Sequence, residues 1–321
     1  LEFRRVLFRS GRLPTGTTAK DMALALIARH GSVGGNGFAV EFAGAAVREL
    51  DIEARLTLCN MATEFSAVTG FIAPDEKTFA YLRGRHFAPA DALWEHAVVH
   101  WRTLVSDDGA TFDREIVIDV SDLAPMVTWG TSPEHAIPID AQVPSLQQSG
   151  TSSEAHARAL AYMGLEVGTP LRSLAISSAF IGSCTNSRLS DLRRAAKILQ
   201  GRRVAPGVRA ICVPGSMSVK RAAEAEGLDE IFRQAGFEWR ESGCSMCFFA
   251  GGESFGARER VISSTNRNFE SRQGPETRSH LASPETVAAS AILGRIAAAK
   301  DLTTIDSMAT HDRSAIDGGL G

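Results

Sequence analysis

Three cysteines are the residues of this sequence best suited to chemistry. Cys184 lies in the run Ile181–Arg188, and Cys244 and Cys247 form a later C-x-x-C pair. Three thiolates can bind three irons of a four-iron, four-sulfur cluster and leave one iron open, where it can act as a Lewis acid on a substrate. Three cysteines and a histidine can also form a closed zinc site. The cysteines alone therefore leave both cluster and zinc open.

Two arginines give the second signal. Arg267 and Arg272 lie in a polar run that follows a predicted strand, about twenty residues after the C-x-x-C pair. Guanidinium groups bind carboxylates through paired, charge-assisted hydrogen bonds. Isolated surface arginines are normally just solvated, but this position favours a carboxylate-binding site.

Three other polar patterns are weaker. Glu64 ends a mostly apolar segment, where burying a carboxylate is costly, and by itself it indicates a helix-surface residue. His96 and His100 share one helix face but do not form the H-E-x-x-H zinc motif, so no metal is predicted there. The four glycines between Gly31 and Gly37 lack the Lys-Ser/Thr ending of a phosphate loop and predict a tight turn.

The elements around these residues alternate between strand and helix. A capping-box-like start at Thr18 predicts a helix that ends at Gly31. Strands are predicted over Leu174–Ile181, Val208–Val213 and Arg260–Ser264, with helices at about 190–200 and through 222–226. Each of these strands leads into a polar motif. Since ligands bind at the carboxyl ends of strands in open α/β sheets, the pattern predicts an α/β fold with parallel or mixed sheets and one crevice.

The domain boundaries follow from composition. Residues 11–150 are predicted to form one α/β lobe and residues 151–300 a second, cysteine-bearing lobe, with a Gln-, Ser- and Pro-rich linker over Gln142–Glu154. Residues 1–10 alternate Arg and Phe in a pattern that does not continue as a strand or a helix into the residues that follow. We therefore expect them to be a non-native scar that lies outside the fold. Residues 301–321 form an unassigned tail.

Composition excludes several classes of function. The 321 residues are 44% hydrophobic and 22% charged, which is typical of a globular protein of one or two domains. A net charge of −3 without a basic stripe argues against nucleic acid as a partner, and no apolar run reaches transmembrane length. Five cysteines do not form a disulfide framework, so a cytoplasmic location is expected.

The three cysteines, the two arginines and Glu64 lie in a set of eight short peptides, given below, that together resemble the aconitase superfamily and, within it, the isopropylmalate isomerase branch. The likeness runs from about residue 11 to about residue 299. The peptides that carry it are Thr57–Glu64, Ala73–Glu76, Val127–Thr131, Ile181–Arg188, Val204–Val208, Gly236–Arg240, Gly243–Cys247 and Thr265–Gly274.

The resemblance implies an aconitase-like fold and hydro-lyase chemistry. It assigns a [4Fe-4S] cluster to Cys184, Cys244 and Cys247, and a substrate-carboxylate clamp to Arg267 and Arg272. It places Glu64 in the site as a catalytic residue, and it implies supporting roles near the cluster for Asn60, Ser183, Asn186 and Asn266. The implied reaction interconverts 2-isopropylmalate and 3-isopropylmalate by dehydration and rehydration in leucine synthesis, and the implied partner is a separate small subunit.

The sequence also departs from that family. The lobe that carries catalytic His and Asp residues in the family is missing, so we expect the chain alone to be inactive. Phe248–Gly252 and Ser271 differ from the usual Leu-Gly or Leu-Ala step and from the usual glycine. The alternatives are homoaconitase or another hydro-lyase of substituted malates, a non-catalytic cluster protein, and an inactive cluster-binding fragment.

Overall fold

The computed structural model describes residues 2–9, 11–249 and 252–302 and divides into two units. The first unit runs to Leu123 and the second begins at Ala124, except that Thr15–Thr17 belong to the second. The sequence-based boundary after residue 150 lies inside the second unit. Most of the predicted tail, from residue 303 onward, lies outside the described residues.

The first unit is built on a four-stranded parallel sheet in the order β3-β2-β1-β4. Its elements are β1 (Glu2–Arg9), α1 (Ala19–His30), β2 (Phe38–Ala43), α2 (Ala45–Glu49), α3 (Ile52–Met61), β3 (Thr69–Phe71), α4 (Glu76–Leu82), α5 (Asp91–Trp101) and β4 (Arg114–Asp119). Helix α1 begins with the predicted capping box between Thr18 and Asp21 and ends at Gly31, whose φ of 77° suits glycine.

Strand β1 is the main correction to the sequence analysis. It pairs with both β2 and β4, and Val6 and Phe8 are completely buried. Burial alternates along the strand, with Arg4, Val6 and Phe8 buried and Arg5 and Leu7 only half-buried, which is the period-two pattern of a strand. The structure corrects the exclusion of this segment from the fold, whereas its origin as a scar stays a prediction.

The second unit contains a five-stranded parallel sheet in the order β11-β10-β7-β8-β9, beside the antiparallel pair β5-β6. Its strands are β5 (Met126–Thr128), β6 (Ala136–Pro138), β7 (Ser178–Ile181), β8 (Arg209–Cys212), β9 (Phe237–Trp239), β10 (Arg260–Ser263) and β11 (Arg278–Leu281). Its helices are α6 (Leu146–Ser149), α7 (Ser153–Met163), α8 (Leu189–Leu199), α9 (Met217–Ala225), α10 (Leu228–Ala235) and α11 (Pro284–Leu293).

The predicted α/β class with parallel sheets is confirmed. Strands β8 and β10 and helix α8 lie within a residue or so of their predicted positions. The predicted strand over Leu174–Ile181 is shorter in the structure and starts at Ser178, because the residues around Ala175 form an isolated antiparallel bridge with Arg295. The predicted linker contains all of α6 and the start of α7. Within the described residues, none of the helices is long and apolar enough to cross a bilayer.

A buried imidazole joins the two sheets of the second unit. His280 on β11 is completely buried, with Nδ1 2.6 Å from the Thr128 carbonyl on β5 and Nε2 2.8 Å from Arg260 Nη1 on β10. A carbonyl can only accept and an arginine can only donate, so the ring is neutral with its proton on Nδ1. Burial, and then the charge of Arg260, lower the pKa of His280 to about 3.

We predict that this histidine makes the second unit sensitive to acid. The pKa is about 3 in the folded state and 6.5 when unperturbed, so between these values the unfolded chain binds a proton that the folded chain does not. This group leaves the stability unaffected above about pH 6.5 and lowers it as the pH falls toward 3, by about 5 kcal/mol at the limit. Urea midpoints should therefore fall from pH 6.5 to 4 in the parent chain, and less steeply in His280→Asn. If the urea midpoint of His280→Asn falls with pH as steeply as that of the exposed control His96→Asn, the assignment is wrong.

Candidate functional site

The structure brings the three predicted cluster cysteines together at one edge of the second sheet. Cys184 follows β7, and Cys244 and Cys247 follow β9, with Ser245–Cys247 forming a 3-10 turn. Because the strands are parallel, these loops leave the sheet at the same edge. The pKa of the Cys247 thiol is raised, first by burial and also by the nearby Cys184 and Cys244. The thiols of Cys184 and Cys244 therefore lie near that of Cys247.

The donor set fits an iron–sulfur cluster. Cys184 and Cys244 are exposed free thiols, and Cys247 is a half-buried one. Across the described ranges, no three Cys, His, Asp or Glu side chains converge on a point that could hold a single metal ion. A cluster binds each thiolate through a different iron, so its ligands surround a volume and need not converge on a point.

Arg272 lies against one of these sulfurs. Its Nη2 is 3.7 Å from Cys247 Sγ, and its guanidinium group stacks near Phe269 and Phe248 at 5.2 and 5.9 Å from the ring centroids. The charge of Arg272 favours the Cys247 thiolate, although burial still raises the thiol pKa overall. Arg272 Nε is buried without a hydrogen-bond partner among the described residues. A cation so placed can serve a thiolate and an anionic ligand together.

The turn that carries Cys184 is held from β10. The hydroxyl of Ser264 accepts a hydrogen bond from Gly182 N at 3.0 Å and donates to the Asn186 carbonyl at 2.8 Å. Ser183, buried at φ 92°, accepts from Thr185 N at 3.2 Å. A serine in this left-handed region is strained and persists only where its surroundings fix it. These bonds account structurally for the turn around Cys184.

The C-x-x-C turn is held by Gln273, which is almost fully buried. Its Nε2 donates to the Met246 carbonyl at 2.7 Å, and its Oε1 accepts from Ser279 Oγ at 2.7 Å. Both cysteine turns are therefore tied to the segment Ser264–Gln273, which also carries Arg267 and Arg272. Because the ties are direct hydrogen bonds between buried groups, the cysteines and arginines share one frame.

Asn268 fixes the middle of the same segment. Its Nδ2 lies 3.0 Å from Thr128 Oγ1, 2.7 Å from the Gly130 carbonyl and 3.0 Å from the Ser279 carbonyl. Asn268 and Gln273 lie in the predicted Thr265–Gly274 motif and Ser264 ends the strand before it, but none of the three had a predicted role. The available signal was the density of short polar residues directly after a buried strand.

The remaining predicted residues lie as follows. Asn266 and Arg267 are half-buried directly after β10, and Asn186 is buried after Cys184. In the first unit, Asn60 lies near the end of α3 and Glu64 is buried in a 3-10 turn. All five make polar interactions. Their roles in the site stay predictions.

An ion pair links two helices of the first unit, α3 and α4. Arg55 donates two hydrogen bonds to the Asp75 carboxylate, at 2.8 and 2.6 Å. Burial alone raises the pKa of Asp75, but the hydrogen bonds from Arg55 outweigh it and the pKa is lowered. The pair joins helix α3, which leads to Glu64, to the start of α4.

Comparison with known proteins gives the family. Residues 5–294 match the family described as "Aconitase family (aconitate hydratase)", so the chain belongs to the aconitase family. It is 66% identical over 259 residues to a Cupriavidus necator 3-isopropylmalate dehydratase large subunit, covering 80% of this chain and 97% of that protein. It is 56% identical over 295 residues to the 3-isopropylmalate dehydratase large subunit 1 of Bradyrhizobium diazoefficiens, covering 91% of this chain and 62% of that protein.

Among solved structures, the holo-form of Thermococcus kodakaraensis aconitase X aligns over 85% of this chain and 52% of that one, with 13% identity and a TM-score of 0.38. That similarity is too distant to carry an argument about this chain. The chain spans about six-tenths of the Bradyrhizobium relative and nearly all of the Cupriavidus one.

We predict that Gln273→Glu loosens the C-x-x-C turn. A carboxylate cannot donate to the Met246 carbonyl, so a buried acceptor loses its partner, at a cost of about 1–3 kcal/mol. The measurement is the free energy of unfolding by urea, with Gln147→Glu as a control because Gln147 is exposed on α6. Equal stability of the two variants contradicts the role given to Gln273.

Proposed function

We propose that this chain is the cluster-bearing part of a 3-isopropylmalate dehydratase large subunit, a hydro-lyase of leucine synthesis. The observation that carries the proposal is the meeting of three free thiols and Arg272 at one edge of a parallel sheet. Membership of the aconitase family supports the hydro-lyase class. The relatives at 66% and 56% identity support isopropylmalate as the substrate over other substituted malates.

The chemistry divides between the cofactor and the chain. Cys184, Cys244 and Cys247 would hold a [4Fe-4S] cluster, which when bound supplies a Lewis acid for the departing hydroxyl. Arg267 and Arg272 would bind the two substrate carboxylates through paired hydrogen bonds and so fix which carbons face the reacting groups. Glu64 would exchange the substrate proton.

Four other residues are proposed to support the cluster: Asn60, Ser183, Asn186 and Asn266. Ser183 and Asn186 lie on the turn that carries Cys184, and Asn266 precedes Arg267 in the segment that ties the cysteine turns. Amide and hydroxyl groups near cluster sulfurs donate hydrogen bonds and so tune the cluster.

A partner and a compartment follow from the same proposal. The relatives are named large subunits, so we propose that a small subunit completes the active site. Five free thiols, three of them assigned to a cluster, fit a reducing compartment such as the cytoplasm.

Cluster content tests the proposal directly. After anaerobic reconstitution we expect about four irons and four acid-labile sulfides per chain, and an EPR spectrum that changes when 2-isopropylmalate is added. Cys244→Ser should lose the cluster, whereas Cys59→Ser, in the first unit, should keep it. Absence of a cluster, or zinc in its place, rejects the proposal for this chain and favours an inactive fragment.

Arg267→Lys should separate substrate binding from cluster binding. Lysine keeps the charge but cannot form the paired hydrogen bonds, so the affinity for 2-isopropylmalate should fall about tenfold while the iron content is unchanged. Isothermal titration of the reconstituted chain measures this effect. The control is Arg233→Lys, at an exposed position of α10. If Arg267→Lys binds as tightly as Arg233→Lys, Arg267 does not clamp a carboxylate.

A further inference from the structure

We infer that Tyr162 on α7 is a positioning residue for the loop that carries Arg267 and Arg272. The inference rests on the proposed function, because it assigns that loop to substrate carboxylates. It adds a residue that lies outside every motif shared with the family.

The hydroxyl of Tyr162 bridges two points of the loop. It accepts a hydrogen bond from Ser271 N at 2.7 Å and donates one to the Thr277 carbonyl at 2.8 Å. The Tyr162 carbonyl in turn accepts from Arg278 Nε at 2.9 Å. Through its hydroxyl and its backbone carbonyl, Tyr162 therefore holds the stretch from Ser271 to the start of β11 against α7.

Ser271 has a particular need for this bridge. Its φ is 62°, in the left-handed region where residues with a Cβ are strained. Glycine adopts this conformation freely, whereas serine does so only at a cost. In this chain, the conformation is held through the Ser271 N–H, bonded to Tyr162, and through Ser271 Oγ, which accepts from Glu276 N at 3.1 Å.

A second contact from α7 is weaker. Arg158, one helical turn before Tyr162, forms a paired hydrogen bond with the Glu270 carboxylate at 2.7 and 2.9 Å. The Arg158 side chain is 72% exposed, and exposed ion pairs contribute little because water screens them. The Tyr162 hydroxyl, by contrast, bonds the backbone of the loop at both Ser271 and Thr277, so it acts on the backbone conformation directly.

The consequence for binding follows from adjacency. Arg272 is the next residue after Ser271, and its guanidinium already lies beside Cys247. A rotation of the Ser271 backbone redirects Arg272, and a paired hydrogen bond to a carboxylate tolerates little misplacement. Tyr162 thus sets the direction of one arm of the clamp without touching substrate.

Tyr162→Phe tests the inference because it removes only the hydroxyl. The sequence has two tyrosines, so Tyr81→Phe on α4 of the first unit is a matched control. In Tyr162→Phe we expect amide exchange of the peptide spanning 266–277 to quicken about tenfold, and the affinity of the reconstituted chain for 2-isopropylmalate to fall about five- to tenfold. Iron and sulfide content should stay at the parent level. Ser271→Gly added to Tyr162→Phe should recover part of the affinity, since glycine needs no brace at this φ.

The outcomes separate this inference from the proposed function. Unchanged exchange over 266–277 overturns the positioning role whatever the ligand. A loss of cluster as large as the loss of affinity also overturns it, because the residue is then merely structural. Faster exchange in Tyr162→Phe, in a chain whose parent form keeps its cluster but binds no isopropylmalate, supports the brace and rejects the proposed substrate.

Discussion

The parallel direction of the five strands in the second unit is the constraint on which the site depends. Parallel strands deliver every following loop to one edge, so a cysteine after β7 and two after β9 meet there although they are far apart in sequence. The same edge receives the arginine segment after β10. The direction of the strands brings the loops together, and side-chain hydrogen bonds then fix their conformations.

Those hydrogen bonds all involve the segment Ser264–Gln273. Ser264 holds the Cys184 turn, Gln273 holds the C-x-x-C turn, and Asn268 holds the segment itself against the β5 strand and the residues that follow it. Buried polar groups are costly when unpaired, so such a network has few alternative arrangements. The cysteine turns and the arginines therefore share a common geometry.

The sequence was informative where chemistry or periodicity is local. The cysteine spacing, the capping box at Thr18 and the apolar runs of β8 and β10 can each be recognised within a few residues. Strand β1 was missed because its buried face includes Arg4 and its exposed face includes Phe3, which obscure the period-two pattern. Strands β9 and β11 are only three and four residues long and carry almost no periodic signal. Gln273 and Tyr162 could not be assigned, because their partners are distant in sequence or lie on another element.

The bond between Ser264 and the Asn186 carbonyl also bears on the order of events during synthesis. It spans 78 residues, so all three cysteines are translated before the residue that holds the first of them. Early in synthesis the nascent chain carries three thiols without a fixed geometry, and contacts of long sequence separation form late. The turn around Cys184 can thus take its final form only after β10 and Ser264 have been synthesised.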